Sequence, residues 1–220
     1  MSNLSDVRRQ RDIGMRYCSV TGRFYSLKNK SAIHTESTLE QDFCYVLEFD
    51  KTVIEYLEQP VKIKYSYQGK DRSYTPDFFI AGRENDRPYM RIYEVKPLKF
   101  LKLHKDTFDV KFTAATEWCK NKGWEFHVIN ESIRGQVLEN YKFLYQFKRY
   151  ECFVGHSLEV MNVLKALGGK ISLRDLFKHY DKIYQKDSED YIAATWYLVA
   201  ELDVQIDLEE KITMQSKVWI

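Results

Sequence analysis

Two short stretches place charged side chains where apolar ones are expected. In YTPDFFI (74–80) Asp77 follows a proline and opens an apolar run, and in YEVKP (93–97) Glu94 and Lys96 flank Val95 inside another. Successive side chains of a strand point to opposite faces, so Glu94 and Lys96 share a face, Val95 turns into the core, and Pro97 ends the pairing. If the strand carrying Asp77 runs antiparallel beside this one, two carboxylates and an ammonium meet at one sheet edge. Carboxylates in contact repel, and one takes up a proton unless a cation lies between them. A hard divalent cation such as Mg²⁺ takes carboxylate, water and phosphate oxygens and promotes in-line attack of water on a phosphodiester. Mn²⁺ is the expected substitute. Lys96 would orient the nucleophile or favour its deprotonated form, and Glu40, on the helix before these strands, offers a further ligand. A purely structural Asp77–Lys96 ion pair is the competing reading, although burying such charges is costly without a partner or metal.

Several elements must hold these residues in place. ESTLEQDFCYVLEFD (36–50) sets Leu39, Phe43, Val46 and Leu47 at helical spacing, with Thr35 or Ser37 available as N-cap. VIEYLEQPVKIKYSYQGKDRSYTPDFFIAG reads as strands, with QGKD joining VKIKYSY to SYTPDFFI. PYMRIYEVKP follows across GREND, near enough to pair antiparallel with the run before it. Residues 104–121 space Phe108, Phe112, Ala115 and Cys119 as a helix does, GWEFHVIN reads as a buried strand with His127 packed in the core, and 131–148 reads as another helix. This order predicts an α/β domain over 1–150, a sheet packed on both sides. Beyond it, HSLEVMNVLKALGG, SLRDLFKHY with Ser172 as cap, and SEDYIAATWYLVAEL read as three helices. The alternating DVQIDLEEKITMQSKVWI, folded about a turn at Glu209 and Glu210, completes a winged-helix-like domain over 151–220.

Composition narrows the class. A chain of 220 residues that is 44% hydrophobic and 30% charged, with 4 prolines and 9 glycines, is globular rather than disordered. No stretch approaches the roughly 20 apolar residues of a membrane span, and MSNLSDVRRQRD lacks the apolar core of a signal peptide. A cytoplasmic protein with no membrane partner is expected. Cys18, Cys44, Cys119 and Cys152 form no CxxC pair, and His34, His104, His127, His156 and His179 show no ligand spacing, so no zinc site is indicated. Lys and Arg outnumber Asp and Glu by 26 to 20 in residues 1–150, and the balance reverses to 8 against 12 beyond, as expected if only the first part faces a polyanion. Arg8, Arg9, Arg11, Arg16 and Arg23 of the basic N-terminal arm, and Lys99, Lys102 and Lys105 after the charged stretch, are the candidate DNA contacts; solvated basic residues are the alternative. The last helix carries acids at both ends and no Lys or Arg, which predicts protein docking rather than groove reading. Tyr191, Trp196, Tyr197 and Trp219 are then partner anchors or core residues.

TPDFFI and YEVKP resemble the PD-(D/E)xK signature of nucleases with the restriction-endonuclease fold. Together with TGRFYS, ESTLEQDF and EQPVKIKY they resemble the TnsA family, the endonuclease subunit of heteromeric cut-and-paste transposases, over about residues 20–130. The resemblance implies a mixed sheet flanked by helices and a catalytic set of Glu40, Asp77, Glu94 and Lys96. It implies metal held by Glu40, Asp77, Glu94 and the Val95 carbonyl, with Glu36 competing for the place of Glu40 one helical turn away, and glutamine replacing Glu94 in some members. It further implies Mg²⁺-dependent cutting of the 5′ ends of a transposon in a bacterium, at the nucleoid. A TnsB-like transposase would then cut and join the 3′ ends, and a TnsC-like ATP-binding regulator would contact the C-terminal region. An autonomous repair or restriction-type nuclease, and a non-catalytic assembly adaptor, are the alternatives.

Overall fold

Alternating and helical periodicities that succeed one another along a chain must layer helices on a sheet. The computed structural model describes residues 7, 8, 22–150 and 152–220 and divides by compactness into residues 1–133 and 134–220. That division precedes the helix expected to close the first domain at 150. This helix, Gln136–Tyr145, buries Leu138, Leu144 and Tyr145 and packs within the second unit.

The first unit begins with a hairpin, β1 (Gly22–Ser26) and β2 (Ser31–Thr35), followed by α1 (Thr38–Phe49). Ser37 is the N-cap of α1, its hydroxyl accepting from the Glu40 N–H. Then come β3 (Val53–Glu58), β4 (Ile63–Tyr67), β5 (Lys70–Tyr74), β6 (Phe78–Glu84) and β7 (Arg87–Val95). After these follow α2 (Leu98–Leu103), α3 (Lys105–Lys122) and β8 (Glu125–Ile129). A left-handed Gly123, φ 71°, closes α3 where a side chain would be strained.

The central sheet has the order β3-β6-β7-β8, antiparallel except for the parallel β7–β8 pair. Parallel neighbours need a crossover, which α2 and α3 supply. Alternation then sends Phe78 against Phe43 of α1 on one face. On the other face Phe79 and Ile92 join Ile63, Ala115, Cys119 and Trp124. The sheet is thus mixed and flanked by helices, consistent with a restriction-endonuclease-like fold.

Three sequence expectations change here. SYTPDFFI is two strands, because β5 pairs with β4 as a separate ribbon and only β6 enters the central sheet. The turn between β6 and β7 is Asn85–Asp86 alone, both left-handed at φ 48° and 61°, as a tight hairpin requires. The strand β8 lies at the sheet edge and is half-buried rather than buried; its His127, with 42% of the side chain exposed, stacks on Tyr93 and pairs with Glu125.

The second unit holds α4 (Gln136–Tyr145), α5 (Val154–Ala166), β9 (Lys170–Ser172), α6 (Leu173–Tyr184), α7 (Ser188–Ala200), β10 (Gln205–Ile206) and β11 (Lys217–Trp219). Its small sheet is ordered β10-β11-β9. The hairpin expected about Glu209 and Glu210 is instead a long connection between short strands. Asn140 holds it in place, its amide donating to the Leu208 and Glu210 carbonyls at 2.8 Å each and accepting from the Ile212 N–H. The α7 helix is the centre of this unit, burying Ala194, Thr195, Leu198 and Val199 against α4, α5 and α6. Trp196 stacks on Phe147 and meets Phe143 and Phe177, and Tyr191 stacks on Tyr184, so these half-buried rings pack against one another at the rim of the core. Among the described residues no helix is long and apolar enough to cross a membrane.

Candidate active site

Pro76 has no N–H to give to a ladder and biases its neighbours toward extended backbone. Asp77 therefore enters the sheet one residue before β6 proper. Its N–H donates to the Tyr93 carbonyl at 3.0 Å, and its carbonyl accepts from Gln59 N–H at 2.8 Å, so its backbone is fixed from both neighbouring strands. Its carboxylate then takes the place of a ladder acceptor: Oδ2 accepts the Val95 N–H at 2.7 Å. The end of β7 is thereby turned so that the Val95 carbonyl and the Lys96 side chain face Asp77.

Lys96 Nζ lies 2.9 Å from Asp77 Oδ2, 3.3 Å from Glu94 Oε1 and 3.2 Å from the Val95 carbonyl oxygen. The other oxygen of Glu94, Oε2, accepts the Tyr74 hydroxyl at 2.6 Å. Glu94 is 3% exposed. Lys96 N–H is itself held by the Ile129 carbonyl of β8 at 2.9 Å.

Glu40 approaches from α1. Its carboxylate accepts the Glu36 N–H at 2.8 Å and the Ser37 hydroxyl at 2.9 Å, so it closes the first turn of its helix in the manner of a capping box. The spacing S-T-L-E at 37–40 carries this signal in the sequence. Glu40 lies in the first turn of α1 and interacts electrostatically with Asp77 and Lys96, whereas Glu36 precedes the helix.

The electrostatics follow from burial and crowding. Burial, reinforced by the Asp77 charge, pushes Glu40 up to about 7. The same two causes push Glu94 up to about 8. Burial works to lower Lys96, but Asp77 and Glu94 outweigh it and hold the ammonium charged. Burial, with Glu94 next to it, raises the Tyr74 phenol, which stays a neutral donor. Sequence reasoning missed Tyr74, although its place three residues before Asp77 at the end of an alternating run was a usable signal.

The predicted residues thus fall into two groups. Asp77, Glu94, Lys96 and the Val95 carbonyl converge, with Glu40 coupled to them. The proposed DNA contacts are dispersed: Arg23 is exposed on β1, Lys99 and Lys102 on α2, and Lys105 pairs with Asp109 at 2.8 Å. Arg8 is anchored by its N–H to the Pro60 carbonyl, while Arg9, Arg11 and Arg16 lie outside the described residues. Among the described residues no three acidic, His or Cys side chains form a ready metal cage. The oxygens of Asp77, Glu94 and Val95 nevertheless already surround one cationic centre, the Lys96 ammonium, and all three are donors of the kind a hard cation takes.

A comparison with curated proteins returns no match. Residues 50–131 match the sequence model of the family described as TnsA-like endonuclease N terminal, a span that contains Asp77, Glu94, Val95 and Lys96 and stops short of Glu40. Over residues 50–131 the chain is thus similar to a TnsA-like endonuclease N-terminal domain, and that segment holds the charged edge.

Proposed function

We propose that this protein is a metal-dependent DNA endonuclease that cuts the 5′ ends of a transposon as one subunit of a heteromeric transposase. The observation that carries the reading is the meeting of Asp77, Glu94 and Lys96 at one sheet edge inside the matched segment. Mg²⁺, or Mn²⁺ in its place, would be held by Asp77, Glu94 and the Val95 carbonyl, with Glu40 as a further ligand, and would supply a hydroxide and charge neutralisation at the phosphate. The chain's own residues do the positioning. Asp77 is locked by the Val95 N–H, Tyr74 fixes the far oxygen of Glu94, and Lys96, always charged, sits where it can orient a water against the scissile phosphate.

In this reading the partners are transposon-end duplex DNA, a TnsB-like transposase and a TnsC-like ATP-binding regulator, and the protein works in the bacterial cytoplasm at the nucleoid. The helices α5, α6 and α7 with the three-stranded β9–β11 sheet support a winged-helix-like second domain. The α7 helix buries one side only, and its exposed Glu189 and Asp190 with the half-buried Tyr191 and Tyr197 are the surface offered to the regulator.

Strand-resolved cleavage of labelled transposon-end DNA, with the cognate transposase and regulator in Mg²⁺, tests this. Asp77→Ala should lose the 5′-strand cuts and keep the 3′ cuts. Unchanged products would make the cluster a structural ion pair and the protein an assembly adaptor. Cutting by wild type with no partner present would instead mark an autonomous nuclease.

A further inference from the structure

We propose that the β4–β5 hairpin is a ribbon that grips duplex DNA beside the cutting edge, a proposal that rests on the nuclease reading above. Among the described residues these two strands bond only to each other and stand apart from the central sheet. The register pairs Ile63 with Tyr74 at the base, then Lys64 with Ser73, Tyr65 with Arg72, Ser66 with Asp71 and Tyr67 with Lys70. The turn at Gln68–Gly69 is left-handed at both residues, φ 52° and 69°, which gives a tight and stiff tip.

Base and tip differ in character. Ile63 and Tyr74 are buried in the core cluster that includes α3, and the Tyr74 hydroxyl is bonded to Glu94, so the ribbon is rooted at the catalytic edge itself. Above the base the exposed residues include Lys64, Lys70 and Arg72 against the single acid Asp71, and Lys62 is exposed just before it. None of the large exposed hydrophobics among the described residues lies on it, which is unlike a protein-docking face.

The cations occupy both faces. Since opposite residues share a face, Lys64 lies on one side with Ser73, and Lys70 and Arg72 lie on the other with Tyr67 and Tyr65. A depression of about 630 Å³ lies along the ribbon, lined by Lys62, Lys64 and Arg72 with Ser66 and Ser73 and the one acid, Asp71. A ribbon basic on one face would lie across a single backbone, whereas cations on both faces meet phosphates on either wall of a groove. The major groove, about 12 Å wide, admits a two-stranded ribbon. Duplex DNA seated there reaches the Asp77 edge through the rigid base of the same hairpin.

The test uses the full chain and a fluorescein-labelled duplex, with affinity read by anisotropy across a salt series. Each phosphate contact contributes about 0.9 to the slope of log affinity against log salt. Lys64→Gln with Arg72→Gln should flatten that slope by one to two units, at ~1 per contact, and weaken binding about tenfold at low salt. The control, Lys120→Gln with Lys178→Gln, removes the same charge from exposed helix positions and should leave the slope unchanged. An unaltered slope in the ribbon variant would overturn the proposal, as would unaltered duplex binding accompanied by loss of cutting in the assembled transposase, which would make the ribbon a protein contact. Cutting that survives Asp77→Asn while the ribbon variant loses affinity would sink the catalytic assignment and leave the ribbon proposal standing.

Discussion

The two units differ in what they bury. In the first, five acids among the described residues lie out of water: Glu40, Asp42, Glu48, Glu58 and Glu94. In the second, the buried polar side chains among the described residues are neutral: Asn140, Ser188 and Thr195. Asn140 binds three backbone groups, and the Thr195 hydroxyl meets Tyr180 at 3.1 Å and the Tyr191 carbonyl at 2.8 Å. The second unit thus satisfies its interior with neutral donors and acceptors. Ionisable groups in the first unit cost more, so each calls for a reason.

Buried acid is not by itself a sign of function, however. Glu48 accepts from the Ser26 hydroxyl at 2.6 Å, the Tyr56 hydroxyl at 2.8 Å and the Leu27 N–H at 3.2 Å, a set of neutral donors that pins the first hairpin to α1 and β3. Glu94 and Glu40 differ because a second carboxylate, Asp77, acts on both. Crowded carboxylates, rather than buried ones, mark the site.

That contrast can be broken at several points. The largest effect is expected for Lys96→Met, which leaves Asp77 and Glu94 facing each other without a cation. Loss of 5′-strand cutting together with roughly 3 kcal/mol of stability is expected from strand-resolved cleavage and urea unfolding. Asn140→Ala should cost about 2 kcal/mol by the same unfolding assay, because two carbonyls and an N–H lose their partner, while leaving cutting by the first unit intact. A matched pair sharpens the distinction between the acids. Glu48→Gln should lower the melting temperature without changing cleavage, whereas Glu94→Gln should raise it at pH 8 and reduce cleavage and divalent-ion affinity, read by calorimetry.

The pH dependence carries a definite sign. Glu40 and Glu94 keep their protons in the folded chain up to about 7 and about 8, against 4.5 for the ordinary group. Their contribution is therefore fully present below pH 4.5 and is lost as pH rises through 7 and 8. Without divalent ions the melting temperature should fall over that range, and Mg²⁺ should restore most of the loss at pH 8. A flat profile would mean that the carboxylates do not crowd. The smallest change is expected for Tyr74→Phe: about 1 kcal/mol in unfolding, with a modest rise in the Mg²⁺ concentration needed for cutting.

Much of the candidate site was legible in the sequence because alternation fixes which side chains share a face. Glu94, Val95 and Lys96 needed nothing more, and Asp77 needed only an antiparallel neighbour. Alternation does not say which strands pair, so the separation of the β4–β5 ribbon from the central sheet was invisible in SYTPDFFI. Nor does it set strand length, and the connection after α7 looked like a hairpin because Asn140, far away in sequence, is what shapes it. His127 was misjudged for a related reason: an apolar run at the edge of a sheet reads like one in its middle.

The clamp on Lys96 has a consequence in time. Its N–H is held by Ile129, on a strand that pairs in parallel and so cannot dock until the whole α2–α3 crossover has been made and folded. During synthesis the acidic members of the edge emerge first and the element that fixes the lysine emerges last. A ribosome-bound or truncated chain ending before residue 129 therefore holds the acids without the strand that sets the lysine, and a cell making this protein meets the finished edge only once the domain is complete.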